Sequence, residues 1–293
     1  MKLFGYTFTL NEEHMIKYVL PYLDRMGYDK LVVYDSGSTD KTVEILSKVP
    51  YIEIRHIICE DGLFDLVKMN KQSECFYECK KYSEEHGGED VWMTFTDFDE
   101  VIFALNSIFK DTKDMLLFRT KSEGVNYNYF CDRMPYLFYD GSEYDMKNPI
   151  HYYIPYVRCA DWYSFGSKVT MIKVNDFEIE KVIVGNHSMT VRKTNENDAL
   201  NLVDSGLFYG FHLKYINKDL TKLQSDKNYE SLYQTFSPNK DDFYLKRTSE
   251  YNELYSTSYS ISQYFAVRGL HINDNDGRIK SRFGYNYGGL TIL

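Results

Sequence analysis

The sequence contains no apolar run that approaches the roughly 18 residues needed to cross a bilayer as a helix. Its amino terminus also lacks the apolar stretch that marks a secretory signal peptide. These two absences predict a cytoplasmic chain with no transmembrane segment. They leave open a peripheral contact with the inner face of a membrane.

Positive charge is in the minority. The chain of 293 residues has 34 Lys and Arg against 43 Asp and Glu. Proteins that bind nucleic acid broadly through its backbone need a basic surface. The charge balance therefore predicts no nucleic-acid partner, although it allows a local basic patch for phosphate groups.

Cysteine is scarce, odd in number and scattered, at Cys59, Cys75, Cys79, Cys131 and Cys159. Cys75 and Cys79 are one helical turn apart, yet no second pair completes a zinc site. We therefore expect reduced thiols. The sequence also has no internal repeat and no low-complexity linker, so its length fits one large domain or a domain with an appendage.

Strand and helix patterns alternate over residues 1–120. Short β-branched and aromatic runs predict buried strands, and apolar residues at helical spacing predict helices. The predicted strands cover residues 3–10, 31–34, 51–58, 91–93 and 115–119. The predicted helices cover residues 15–26, 43–46 and 65–85. This alternation predicts an α/β fold, with a mostly parallel central sheet and helices on both faces.

The pattern changes after residue 123. Residues 123–165 are an aromatic, loop-like region, and strand patterns return at residues 168–174, 182–184 and 207–216. Beyond residue 218 the chain is polar, with apolar residues at helical spacing. We expect a small, mostly helical appendage at the carboxyl end.

Acidic residues gather in Asp97-Phe98-Asp99-Glu100, directly after the apolar run of residues 91–93. Asp97 and Asp99 are two residues apart, so on a continuing strand they would point to the same face. Two carboxylates on one face repel each other unless a cation lies between them. A divalent metal that also holds a diphosphate suits this position, and an acidic loop facing solvent is the alternative.

Two further motifs precede the acidic one. Asn11-Glu12-Glu13 follows the opening strand, and Asp35-Ser36-Gly37-Ser38-Thr39-Asp40 follows the second. With Asp97-Phe98-Asp99-Glu100, their order and spacing resemble the family 2 glycosyltransferases, which have the nucleotide-sugar-binding fold called GT-A. The resemblance covers roughly residues 1–215, weakly from 120 to 165. It implies a GT-A catalytic domain of residues 1–217, with a nucleotide-sugar half (1–120) and an acceptor half (121–217), followed by an extension of residues 218–293.

The resemblance implies a donor pocket at the ends of the first two strands. Asp35 would bind the base, and the segment with Thr9, Asn11 and Glu12 would line the same pocket. Gln72 matches a position that is polar near the donor. A turn-shaping role for Asp35 is the alternative. Thr9 and Glu12 also have the spacing of a capping box for the first helix, with Asn11 as a competing cap.

The resemblance also implies a metal site. Asp99 is the first choice as direct ligand, whereas Asp97 would ligate through water or hold the ribose. A late histidine completes the shell in many such transferases, and His187 has the matching order along this chain. Imidazole suits Mn²⁺ better than Mg²⁺, and either ion serves the chemistry. His212 competes with His187, or faces the phosphates together with Lys214.

Inverting transfer needs a general base on the acceptor hydroxyl. Asp161 is followed by the aromatic residues Trp162 and Tyr163, which would raise its pKa by desolvation. Glu123 and Asp132 are the rivals, and no spacing rule separates the three.

The resemblance therefore implies a metal-dependent glycosyltransferase. It would move a hexose by inversion from a nucleotide diphosphate sugar, a UDP-sugar, to a saccharide or lipid-linked saccharide acceptor in bacterial surface polysaccharide synthesis. A homodimer is left open. The alternatives are a nucleotidyltransferase and a non-catalytic carbohydrate-binding protein.

Overall fold

The computed structural model describes residues 1–58, 64–104, 110–123, 129–132, 136–139, 157–160, 168–183, 188–195, 208–213, 240–256, 258–260 and 290–292. The chain divides into two compact units. The first unit comprises Met1–Arg133, Gly166–Gly210 and Tyr287–Leu293, and the second comprises Met134–Phe165 and Phe211–Asn286. The boundary expected after residue 217 stays a prediction.

The strands in the described residues are β1 Lys2–Thr9, β2 Lys30–Asp35, β3 Ile52–His56, β4 Val91–Phe95, β5 Glu100–Ala104, β6 Tyr129–Asp132, β7 Tyr136–Tyr139, β8 Val157–Ala160, β9 Lys168–Lys173, β10 Phe177–Ile183, β11 Ser188–Lys193, β12 Phe208–His212, β13 Tyr259–Ser260 and β14 Leu290–Ile292. The α-helices in the same residues are α1 Glu13–Asp24, α2 Thr42–Leu46, α3 Phe64–Glu85, α4 Thr112–Glu123 and α5 Lys240–Ser256.

The first unit is built on a six-stranded sheet with the order β3-β2-β1-β4-β9-β6. Neighbours from β3 to β4 pair in parallel. Strand β9 runs antiparallel to both β4 and β6, so five strands share one direction. The predicted mostly parallel α/β sheet is confirmed, and its assignment to the GT-A type stays a prediction.

Helices cover both faces of this sheet. The chain steps outward from β1 to β3 through α1 and α2, and α3 then returns it past β1 to β4. Because such crossovers are right-handed, this reversal puts α3 on the face opposite α1 and α2. The α3 face is a buried core, in which Phe4, Tyr6 and Phe8 of β1 pack with Cys75 and Phe76 of α3.

The remaining strands form smaller groups. Strands β10, β11 and β14 make a three-stranded sheet in the first unit. In the second unit, β13 pairs with β8, β8 pairs with β7, and His212 of β12 pairs with Tyr136 of β7. Strands β6, β7 and β8 therefore interrupt the region that the sequence predicts to be loop-like.

The strand predicted at residues 115–119 is wrong, because these residues lie inside α4. Met115 and Leu116 are buried, and the Asp111 carboxylate accepts the Asp114 N–H at 2.7 Å at the start of the helix. That contact is a helix amino-terminal signal. A short apolar run does not distinguish a buried strand from one buried turn of helix.

Asp29 fixes the start of β1. Its carboxylate accepts the Leu3 N–H at 2.8 Å and binds the Nζ atoms of Lys113 at 2.5 Å and Lys2 at 3.2 Å. Burial alone would raise the pKa of Asp29, but these three donors hold it below its ordinary value.

We expect Asp29→Asn to lower the free energy of unfolding by about 2 kcal/mol at neutral pH, because hydrogen bonds to a charged group are lost. The pKa of Asp29 is lower in the folded state, so its contribution is complete above the ordinary value of 3.8 and is lost as the pH falls through the folded value. Urea unfolding from pH 8 to pH 3 measures this. The difference between variant and wild type should be flat above pH 5 and should shrink below pH 4, whereas the exposed Glu85→Gln should show no such trend.

Candidate functional site

The carboxyl ends of three strands meet where the strand order reverses. Thr9 at the end of β1 lies opposite Asp35 at the end of β2, and Tyr6 lies opposite Phe95 at the end of β4. The Thr96 N–H continues this pairing to the Tyr6 carbonyl at 3.3 Å. Open α/β sheets bind ligands in the crevice at such a reversal. The three sequence motifs therefore begin at one edge of the sheet.

Asp35 shapes the loop that follows β2. It is 1% exposed, and its carboxylate accepts the Gly37 N–H at 3.2 Å and the Ser38 N–H at 3.1 Å. It also lies 3.1 Å from Nδ1 of His56, whose side chain is 71% exposed at the end of β3. The turn-shaping alternative is thus present in the contacts, and base binding by Asp35 stays a prediction. His56 is not among the residues predicted from the sequence, although its position at the end of a strand was a signal.

Asn11 ties the loop after β1 to the loop after β2. It has a φ of 53°, a left-handed conformation that is uncommon outside glycine. Its side-chain Oδ1 accepts the Thr39 N–H at 2.7 Å and the Asp40 N–H at 3.3 Å, and its own N–H donates to Ser38 Oγ at 2.8 Å. These contacts pre-form the two loops as one wall of the crevice.

The capping box predicted from Thr9 and Glu12 is wrong. Glu12 is the N-cap residue of α1, but its side chain makes no capping hydrogen bond. Its own N–H donates to Thr42 Oγ1 at 2.7 Å. The Asp40 carboxylate instead accepts the Glu13 N–H at 3.1 Å and the Thr42 N–H at 2.9 Å, so one residue serves the first turns of both α1 and α2. Asp40, from the loop after β2, thus replaces the predicted pairing of Thr9 with Glu12 at the start of α1.

The acidic motif is a turn and not a strand. Strand β4 ends at Phe95, and β5 begins at Glu100. The Glu100 N–H donates to the Asp97 carbonyl at 3.0 Å, and the Asp97 N–H donates to Glu100 Oε2 at 3.2 Å. Glu100 is buried and thereby fixes the turn. The expectation that Asp97 and Asp99 share one face of a continuing strand is therefore wrong.

A buried lysine reaches the acidic turn from α3. Lys68 is 5% exposed, and its Nζ forms an ion pair with Asp97 Oδ1 and lies 6.0 Å from the centroid of the Phe8 ring. Gln72, one turn further along α3, is 2% exposed. The polar sequence of α3 favours a solvated helix face for both residues. Their burial shows that this interpretation is wrong and that this part of the helix is covered.

Two buried polar atoms near the strand ends have no hydrogen-bond partner within the described part of the chain. They are Oε1 of Gln72 and Oγ1 of Thr9. Buried polar atoms usually have a protein or water partner, so such atoms at the mouth of a sheet are suited to a ligand. Both residues were expected in the donor pocket, and that role stays a prediction.

The acidic turn offers hard oxygen ligands. Among the described residues, no group of three His, Cys, Asp or Glu side chains is arranged to hold a metal ion. Mg²⁺ and similar ions at diphosphates take one or two carboxylates, and water and phosphate oxygens supply the rest. The carboxylates of Asp97 and Asp99 are ligands of the type that such an ion takes from a protein.

The other predicted site residues belong to separate elements or lie outside the described residues. Glu123 ends α4, Asp132 ends β6, and His212 ends β12 and belongs to the second unit. Asp161, His187 and Lys214 lie outside the described residues. Their roles as base, metal ligand and phosphate contact stay predictions.

An ion-pair cluster anchors α3 to strands β2 and β3 of the sheet. Glu78 binds Arg55 through both carboxylate oxygens, at 2.8 and 3.0 Å, and Lys30 at 2.8 Å. The hydrogen bonds from Arg55, opposed by burial and aided by Lys30, lower the pKa of Glu78 to about 2. The doubly hydrogen-bonded geometry makes this a firm attachment.

Two free thiols lie on the buried side of the same helix. Cys75 Sγ lies 3.2 Å from the Tyr34 hydroxyl, and Cys79 Sγ lies 3.4 Å from the Tyr6 hydroxyl. Burial raises the pKa of both thiols, that of Cys79 to about 12. They fill the core as neutral groups, since a thiol is reactive mainly as its thiolate.

Within the described ranges, none of the helices combines the length and the apolar character needed to cross a membrane.

Comparison with known proteins gives limited results. No family model matches the chain. An uncharacterized protein of Methanocaldococcus jannaschii, MJ1222, is 50% identical over 48 residues, which is 16% of this chain and 20% of that protein. The matched segment thus spans about a fifth of the relative's length.

Solved structures with some likeness include two of S. aureus TarS. The 1–349 portion has a TM-score of 0.35 at 15% identity and covers 84% of this chain and 71% of that one. A longer TarS structure has a TM-score of 0.37 at 15% identity, with coverages of 92% and 46%. A 4-diphosphocytidyl-2C-methyl-D-erythritol synthase has a TM-score of 0.29 at 9% identity, with coverages of 59% and 76%. These values are too low to carry an argument about activity.

Proposed function

We propose that the chain is a glycosyltransferase that takes a hexose from a nucleotide diphosphate sugar, a UDP-sugar, and transfers it to a saccharide or lipid-linked saccharide acceptor. One observation carries this proposal. The segments that begin at Thr9, Asp35 and Asp97 leave neighbouring strands at the reversal of strand order, where this class of sheet binds nucleotides.

The two sides of this crevice suit the two ends of the donor. On the β1–β2 side, the loops held together by Asn11 would contact a base and ribose through Thr9, Glu12, Asp35 and the exposed His56. A planar base needs fixed hydrogen-bonding edges, and rigid loops supply them with little loss of conformational entropy on binding.

On the β4 side, the acidic turn suits the diphosphate. Asp99, with Asp97 and His187, would hold Mn²⁺ or Mg²⁺, which supplies charge stabilisation for the departing nucleoside diphosphate. Lys68 adds a positive charge at the same turn. Asp161, or its rivals Glu123 and Asp132, would accept the proton of the acceptor hydroxyl in an inverting transfer.

A thermal-shift series tests the donor. We expect a uridine diphosphate compound to raise the melting temperature by about 5 °C in the presence of Mn²⁺ at 100 times its Kd, because it binds only the folded form. The series includes guanosine and thymidine diphosphate compounds, nucleoside triphosphates and free saccharides. A shift from triphosphates alone would favour a nucleotidyltransferase, and a shift from saccharides alone would favour a carbohydrate-binding protein. No shift from any nucleoside diphosphate compound would contradict the proposal.

A further inference from the structure

We infer that the Lys68 ammonium group occupies the cation position beside Asp97, and that it excludes a divalent metal from the acidic turn until a nucleotide diphosphate binds. This inference rests on the proposed function, because it concerns how the same crevice is loaded. It assigns to Lys68 a role in the order of binding, which differs from a contact with the sugar or the base.

The contact itself is the first argument. Lys68 is 5% exposed, yet its ammonium group reaches Asp97 Oδ1 at the mouth of the sheet. A buried ammonium group is held where it has a carboxylate partner, since it is costly to bury alone. Asp97 is only half-buried, so the ion pair lies at the boundary between the core and the crevice.

Competition for one oxygen is the second argument. A metal–oxygen bond to a carboxylate is about 2.0–2.6 Å long, so an ammonium group on Asp97 Oδ1 takes the space in which such a bond would form. A divalent ion on the neighbouring Asp99 would also be repelled by the positive charge that Lys68 places beside Asp97. The turn in its present form therefore suits one monovalent cation better than a divalent one.

A nucleotide diphosphate would change this balance. Its phosphate oxygens supply new ligands for a divalent ion and new acceptors for the displaced ammonium group. Gln72 lies one turn from Lys68 on the same face of α3, and its Oε1 has no hydrogen-bond partner in the part of the chain that the structure describes. The phosphate oxygens and Gln72 Oε1 would thus offer the Lys68 ammonium group a second binding position, away from Asp97.

The neighbouring lysine does not share these features. Lys71 binds Glu74 at 2.5 Å and is 29% exposed, so its charge is already matched on the helix surface.

A control variant is offered by Lys81, which lies further along α3, is 75% exposed and has Glu85 as its partner at 3.8 Å. Removing Lys81 therefore changes the net charge of α3 by the same amount at a point remote from the acidic turn.

Calorimetric titration with Mn²⁺ alone, and with Mn²⁺ at saturating UDP, tests this inference. Without nucleotide, we expect Lys68→Met to bind Mn²⁺ roughly tenfold more tightly than the wild type, because a like charge is removed from the site. Lys68→Arg, which keeps the charge, and Lys81→Met should match the wild type. With UDP present, the difference between Lys68→Met and the wild type should fall below about threefold.

The outcomes separate the two levels of the proposal. Equal Mn²⁺ affinity of Lys68→Met and the wild type without nucleotide, with normal binding in the presence of UDP, would overturn the role of Lys68 alone. If no variant binds Mn²⁺ even with UDP, the proposed function and this inference both fail. Lys68→Gln repeats the test if Lys68→Met does not fold, and circular dichroism verifies the fold of each variant.

Discussion

Asp99→Asn is expected to lower the turnover of a UDP-sugar about 100-fold at saturating Mn²⁺, with little change in thermal stability. Loss of one electrostatic partner of a developing charge has an effect of this size on the chemical step. The amide keeps the shape of the side chain and removes the charge that would hold the cation. Steady-state kinetics over a range of Mn²⁺ concentrations measures the change.

The metal dependence separates this explanation from a general loss of structure. Asp99→Asn should also require a higher Mn²⁺ concentration for half-maximal rate, because the ligand set is weakened. The exposed Asp114→Asn on α4, which removes the same charge from a surface, serves as the control. Turnover within about threefold of the wild type would show that Asp99 is not the metal ligand that we propose.

Asp35→Ala is expected to impair both stability and nucleotide binding. The carboxylate is buried and accepts the N–H groups of Gly37 and Ser38, which would lose their partner. We expect the free energy of unfolding to fall by about 3 kcal/mol, since several charge-assisted hydrogen bonds are lost together. Urea unfolding without nucleotide measures this effect.

Binding of UDP to the same variant tests the second half of the prediction. The loop after β2 would no longer be held in place, so we expect UDP to bind about tenfold more weakly by calorimetry. His56→Ala keeps the Gly37 and Ser38 contacts and should retain most of the stability. A folded Asp35→Ala protein with wild-type affinity for UDP would exclude this loop from the binding site.

The parts of the fold that were predictable are those in which local pattern and burial agree. Strands β1 and β2 are apolar runs buried on both faces, and their limits are close to those expected. The long polar helix α3 was also predicted, at residues 65–85 against an observed Phe64–Glu85. Local sequence decides such elements, since their neighbours only reinforce the preference.

The failures have a common cause in contacts between distant segments. Residues 115–119 form part of α4, whose first turn donates hydrogen bonds from Thr112 and Lys113 to carbonyls at the end of α1. The burial of Lys68 on α3 likewise depends on Asp97, 29 positions away. The local sequence predicts a strand for the first segment and a solvated helix face for the second. The contact that determines each structure comes from a residue that is remote in sequence.

The antiparallel pairing of β6 with β9 has a consequence for how such a chain can diversify. Asp132 lies directly opposite Lys168, so residues 133–167 leave and re-enter the sheet at adjacent points. A segment anchored in this way can change in length at small entropic cost, about 0.6 kcal/mol for each doubling. Insertions in this segment outside β7 and β8 would leave the pairing of β9 with β4, and that of β7 with β8, undisturbed.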